Sequence, residues 1–132
     1  MRLRRRTRTE PRVEYADDGT LTVLITAGDA ARADSGVLAE AAGQGVDLDV
    51  PLLVRHHLRL PDGTAVERAR ELLAQDGYTL TVLPDGRVRA WRTQVLTAMS
   101  AAQERSRMAG LAQRLGGDVD GWDACGPAIP PG

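Results

Sequence analysis

The sequence predicts an α+β domain of the ferredoxin-like, split βαβ kind, in which a four-stranded antiparallel sheet carries two helices on one face. Three observations point there. Apolar residues alternate with period two from Leu52 to Leu60, recur at helical spacing in residues 64–75 and 96–115, and are separated by glycine-bearing turns at Pro61-Asp62-Gly63, Asp76-Gly77, Pro84-Asp85-Gly86 and Gly116-Gly117. Residues 51–126 therefore read strand, helix, strand, strand, helix, strand. Two right-handed crossovers then place the fourth strand beside the first, followed by the third and the second.

Ahead of this domain, residues 1–11 read as a disordered basic arm, because clustered like charges repel and offer nothing to bury. Residues 12–50 form an N-terminal extension. Val13 and Tyr15 alternate with polar neighbours, Asp17-Asp18-Gly19 supplies a turn, and Leu21 to Ile25 is β-prone, which predicts a hairpin. The run from Val13 to Ile25 has two places to go, the sheet edge or the open sheet face, and the second would cover that face. Asp34 or Ser35 is placed to cap a short helix ending near Gly43 and Gly45.

In the domain itself, Leu52, Val54, His56, Leu58 and Leu60 share the face expected to be buried, with Leu53, Arg55, His57 and Arg59 opposite. Thr64 with Glu67 reads as a capping box for a helix whose apolar positions are Ala65, Ala69, Leu72 and Leu73. Strands at Tyr78 to Leu83 and Arg87 to Val95 flank the Pro84-Asp85-Gly86 turn. The long helix, Leu96 to Leu115, is expected to present Met99, Ala102, Met108, Leu111, Ala112 and Leu115 inward. A last edge strand runs from Asp118 to Cys125, and residues 127–132 read as a flexible tail.

At 132 residues the chain supports one core. It contains 17 Arg with no Lys, Asn or Phe, a bias that a GC-rich coding sequence explains, so the arginines alone do not argue for bidentate anion contacts. Residues 1–12 hold six Arg against one Glu, leaving 11 Arg against 17 acids in the remainder: a basic arm on an acidic body. A single cysteine, Cys125, excludes an internal disulfide and a cysteine-rich zinc site and fits a reducing compartment. No apolar run approaches the roughly 18 residues of a membrane span. Walker-type loops, a GxSxG elbow and a cysteine with a neighbouring base are all missing from the sequence.

Several residues invite a functional reading. Arg55, His57 and Arg59 on one strand, with Arg87, Arg89 and Trp91 on another, would make a basic face with one aromatic ring, in the manner of an RNA-binding sheet but short of the several aromatics such sheets use. His56 and His57 are adjacent and point to opposite faces, so they cannot chelate one metal ion together, and neither a metal nor a cofactor is expected. His56, set among leucines and valine, reads as a core histidine bonded to a carboxylate or backbone group. Asp118, Asp120 and Asp123 give the last strand an acidic edge unfavourable to phosphate. Gly121 permits close packing there, and Trp122 reads as a lid on the sheet or an anchor for a partner. For Trp91, a stacked arginine is the simplest neighbour.

The His56-His57-Leu58 strand, the helix after it, the Asp76-Gly77-Tyr78 turn, the long second helix and the terminal Asp120-Gly121-Trp122 together resemble the regulator of ribonuclease activity B family, the ribonuclease E inhibitors, over residues 35–124. The resemblance implies the same split βαβ fold and a small, cytoplasmic, bacterial regulatory protein that is not an enzyme and restrains RNA decay by contacting the nuclease. Family members carry long acidic stretches at their ends, whereas this chain starts basic and ends in Pro and Gly. That departure bears on the nuclease target and not on the fold; the partner the resemblance implies is a protein, a ribonuclease, without membrane or cofactor. Arg55, His57, Trp91, Asp118, Asp120 and Trp122 are the expected partner contacts, with His56 and Gly121 structural. The alternative is a small RNA-binding module using the basic sheet face and the arginine-rich arm.

Overall fold

Runs rich in Val, Ile, Leu and Thr become the first three of five strands, the last two hold one Val each and rest on pairing with their neighbours, and alanine-bearing segments become three helices. The computed structural model of the protein describes residues 13–28 and 33–130. In chain order the elements are β1 (Thr22–Ala27), α1 (Asp34–Gly43), β2 (Leu52–Arg59), α2 (Gly63–Ala74), β3 (Thr79–Val82), β4 (Val88–Gln94), α3 (Ala98–Arg114) and β5 (Asp118–Gly126). The strands form one antiparallel sheet in the order β1-β5-β2-β4-β3. The four-stranded expectation is corrected to five, because β1 adds to the outer side of β5, with Thr22 opposite Gly126 and Ala27 opposite Trp122. β5 is consequently an interior strand rather than an edge.

No N-terminal hairpin forms among the described residues. Residues 13–20 lie outside any strand, and the backbone groups of Tyr15 that a hairpin would have used go to a side chain of β4. The Tyr15 amide donates to Thr93 Oγ1 at 2.8 Å, and the same hydroxyl donates to the Tyr15 carbonyl at 3.4 Å. The N-terminal run therefore takes both available routes: its first part straps across the open face and its second pairs at the edge. The arm at residues 1–11 and the end of the tail at 131–132 lie outside the described residues.

All three helices cover the sheet face that carries Val54, His56 and Leu58. One apolar cluster joins Ile25 and Ala27 of β1 with Val37, Leu38 and Ala41 of α1, Val54, Trp122 and Ala124. A second joins Leu58, Val88 and Ala90 with Val66, Ala69 and Leu73 of α2 and Met108, Leu111 and Ala112 of α3. Burying a Leu, Val or Met side chain contributes roughly 1.5–3 kcal/mol, so these two clusters supply the main driving force. Leu53, expected on the wet face, is also buried, between its cross-strand neighbours Thr93 and Cys125.

The helix starts differ from expectation. Asp62, not Thr64, caps α2, accepting the Ala65 amide at 2.9 Å, because that puts the carboxylate opposite the free amides of the first turn. Asp34 opens α1 without capping it, since its carboxylate is taken by distant side chains. Thr97 caps α3 in a reciprocal box with Ser100, each side-chain oxygen accepting the other residue's amide at 3.0 Å. The inner stripe of α3 is Ala101, Glu104, Met108, Leu111 and Ala112, while Met99 is 71% exposed and Ala102 faces solvent.

Candidate functional site

The sheet face away from the helices carries the residues expected to bind a partner or RNA. Cross-strand register brings Arg55 opposite Trp91 and Asp123, and His57 opposite Arg89 and Gly121. On this face Arg55 Nε and Nη2 donate to the two oxygens of Asp123 at 2.7 and 2.8 Å, a bidentate pair. His57 Nε2 lies 2.9 Å from Asp123 Oδ2. From the strap above, Asp17 accepts from Arg55 Nη1 at 2.9 Å and from Arg89 Nε at 2.8 Å, and its side chain is only 1% exposed. Burial pushes the Asp123 carboxyl up, but His57 and Arg55 more than offset this and hold it below its ordinary value. The hydrogen bonds that Arg55 donates to Asp123 and Asp17 hold its guanidinium further into the charged state.

These contacts correct the basic-face expectation. Arg55 and Arg89 are bonded to carboxylates and lie beneath the strap, so the sheet does not present them to RNA phosphate. Arg87 sits in the turn rather than on the face, bonded to Asp85 at 2.8 Å. Trp91 is half-buried, and its Nε1 donates to Thr81 on β3 at 2.8 Å. The stacked arginine expected over its ring is found over Tyr78 instead, where the Arg92 guanidinium lies 4.3 Å from the ring centre.

At one end of β2 and β5 the charges are exposed. His57 pairs with Gly121 but Leu58 with Val119, which leaves Asp120 as the extra residue of a β-bulge. Arg59 Nε donates to Asp120 at 2.8 Å, with Asp118 3.6 Å from its Nη2. The three acids expected to form one acidic edge thus separate: Asp118 and Asp120 with Arg59, and Asp123 inside the face network. Gly121 holds φ at +123°, and a Cβ there would lie 2.5 Å from the Ala27 carbonyl oxygen, so a side chain would force β1 away. Trp122 is 2% exposed in the first apolar cluster, and its Nε1 donates to Asp34 at 3.3 Å. It is therefore not an exposed anchor, because the bulge turns its ring to the helix side under α1. Asp34 also receives Arg105 of α3, and this bond holds its carboxyl below the ordinary range.

Beneath the helices, His56 Nε2 lies 3.2 Å from Glu104 Oε1, which also accepts from the Tyr78 hydroxyl at 3.0 Å. Glu104 Oε2 accepts from Gln94 at 2.6 Å and Arg92 at 3.3 Å. Burial works against this carboxylate, but the bonds from His56, Gln94 and Tyr78 prevail and bring it to about 2. Burial raises the Tyr78 phenol and pushes the Cys125 thiol up to about 11, so both keep their protons at neutral pH. A cavity of about 320 Å³ lined by Asp76, Tyr78, Arg92 and Glu104 opens beside them. The arrangement fixes charges in place and gives neither group a nucleophile's character. No group of three or more metal-binding side chains converges among the described residues, and no described helix is long and apolar enough to cross a membrane.

Asp17 and Glu104 were the residues that sequence reasoning missed. In the sequence Asp17 belongs to a turn signal, and its pairing with Arg55 and Arg89 depends on where the strap lies, which no local pattern carries. Glu104 is charged, which argues against a core position, yet it stands at helical spacing between Ala101 and Met108. No curated protein and no solved structure matches the chain. Residues 31–124, which run from before α1 into β5, match the family described as regulator of ribonuclease activity B. With the sheet, its three helices and the His56 to Trp122 pairing all inside or bordering that match, the chain belongs to the regulator of ribonuclease activity B family.

Proposed function

We propose that this chain is a non-catalytic regulator that binds a ribonuclease of the E type in the cytoplasm and restrains RNA decay, with the residues 51–126 unit as its ferredoxin-like body. Family membership over residues 31–124 is the observation that carries this reading. The surface that fits it best is the exposed end of β2 and β5, where Asp118 and Asp120 stand with Arg59. Their carboxylates complement a basic nuclease segment, and breaking their surface pairs with Arg59 costs little, since exposed ion pairs are worth about 0–1 kcal/mol. His57, further along β2, and Trp91, on the neighbouring β4, would border the contact.

The test is to titrate the full chain against a ribonuclease of the E type cleaving a labelled RNA, with co-purification from native cell extract alongside. Inhibition by the unaltered chain, weakened about tenfold by the double change Asp118→Arg and Asp120→Arg, is the expected result. No inhibition and no co-purifying ribonuclease would remove the proposal. Inhibition untouched by the charge reversal would move the contact to another surface.

A further inference from the structure

The strap and the face beneath it have different grips. Val13, Glu14, Ala16, Asp18, Gly19 and Thr20 are exposed, so the strap holds on mainly through the Tyr15 backbone at Thr93 and the Asp17 carboxylate. The residues receiving Asp17 stand on interior strands. Arg55 is fixed by its bidentate pair with Asp123, a contact that does not depend on the strap. Lifting the strap would therefore leave Arg55 held in place with its Nη1 free, and beside it on β4 the Arg89 guanidinium and the Thr93 hydroxyl released from their strap partners, together a cradle. Two guanidinium charges against the single Asp123 carboxylate leave one net positive charge, matched to one carboxylate. The retained Asp123 opposes a phosphate polyanion. The hydroxyl at Thr93 adds recognition of an extended backbone, donating to a carbonyl and accepting an amide as it does with Tyr15.

We propose that this face is a binding site for an extended, aspartate-bearing peptide segment of a partner protein, and that Asp17 occupies it in cis as a built-in competitor. The site is separate from the exposed Asp118 and Asp120 end and stands whether or not a ribonuclease is the partner. A peptide must displace the strap before it binds, so the strap sets the apparent affinity.

The probe is a labelled peptide with the sequence of residues 12–20, added to the full chain and followed by fluorescence anisotropy. The full-length Asp17→Asn variant should bind it about tenfold more tightly than the unaltered chain, because its own occupant is weakened. The same peptide carrying Asp17→Asn should lose that gain, as should a protein carrying Asp17→Asn with Arg89→Gln. Equal binding to the unaltered and Asp17→Asn chains, or binding indifferent to Arg89→Gln, would overturn the proposal. A single-stranded RNA that binds Asp17→Asn more tightly than the peptide and depends on Arg89 would overturn the peptide assignment in favour of phosphate. If Asp17→Asn does not fold, amide exchange in the unaltered chain decides. Saturating peptide should speed exchange at Tyr15 and leave Val54 protected, and an unchanged Tyr15 rate would refute displacement.

Discussion

Glu104 shows how one side chain can hold several elements. It sits on α3, yet its oxygens take donors from β2, β4 and the residue just before β3 through His56, Gln94, Arg92 and Tyr78. A carboxylate 8% exposed is tolerated only because every nearby donor points at it. Glu104→Gln keeps the shape but turns an acceptor into a donor facing other donors, so it should lower stability at pH 7 by about 2 kcal/mol in urea unfolding. The pH dependence has a definite sign. The folded carboxyl titrates at about 2 against an ordinary 4.5, so the unfolded chain binds more protons in between. The stabilisation is complete above about 4.5 and disappears as pH falls through about 2. Asp34 and Asp123, also held low, act in the same direction. The unaltered chain should thus lose stability more steeply on acidification than Glu104→Gln, and parallel acid limbs for the two would contradict this account.

At the scale of the element, α3 and β5 carry the sharpest expectations. The phase of α3 predicts that Met99→Ala stays within about 0.5 kcal/mol of the unaltered chain while Met108→Ala costs about 3 kcal/mol. Comparable losses at the two sites would mean that the helix presents a different face. Removing the cap with Thr97→Ala should cost about 1 kcal/mol. On β5, Gly121→Ala places a methyl group against the Ala27 carbonyl at a backbone angle that disfavours side chains. It should cost more than about 2 kcal/mol and speed amide exchange in β1 before the other strands, which calorimetry and exchange measurements can read together. Why some elements were legible follows from the same physics. β2, α2 and β4 announce themselves because local alternation and turn glycines decide them. The face of α3 did not, since a buried glutamate is explained only by donors far away in sequence. Asp62 outcompeted Thr64 as a cap for a reason of backbone geometry that composition does not carry. Asp17 and Trp122 were misplaced because a strap, an added strand and a bulge are tertiary choices, invisible to any short window.

For the whole molecule, the question is how the N-terminal extension completes a body whose family match begins at residue 31. β1 lies before that match, yet it does two things the rest of the fold depends on. Ile25 and Ala27 fill the cluster that also buries Trp122, Val54 and the inner face of α1. The backbone of β1 also satisfies the outer edge of β5, which would otherwise offer unpaired amides and carbonyls beside an apolar surface. The strap contributes differently, covering charge rather than an edge. Two deletions separate these roles. Removing residues 1–21 takes away Asp17 but keeps β1, and should leave a folded monomer that binds anions more readily at Arg55 and Arg89. Removing residues 1–28 also strips β1, withdrawing the Ile25 side chain, worth roughly 1.5–3 kcal/mol of burial, and baring β5. That chain should unfold at lower urea and self-associate through the exposed edge, seen as dimers or larger species by light scattering. If both deletions are monomeric with the same unfolding midpoint, β1 is an accessory to the sheet rather than the strand that closes it.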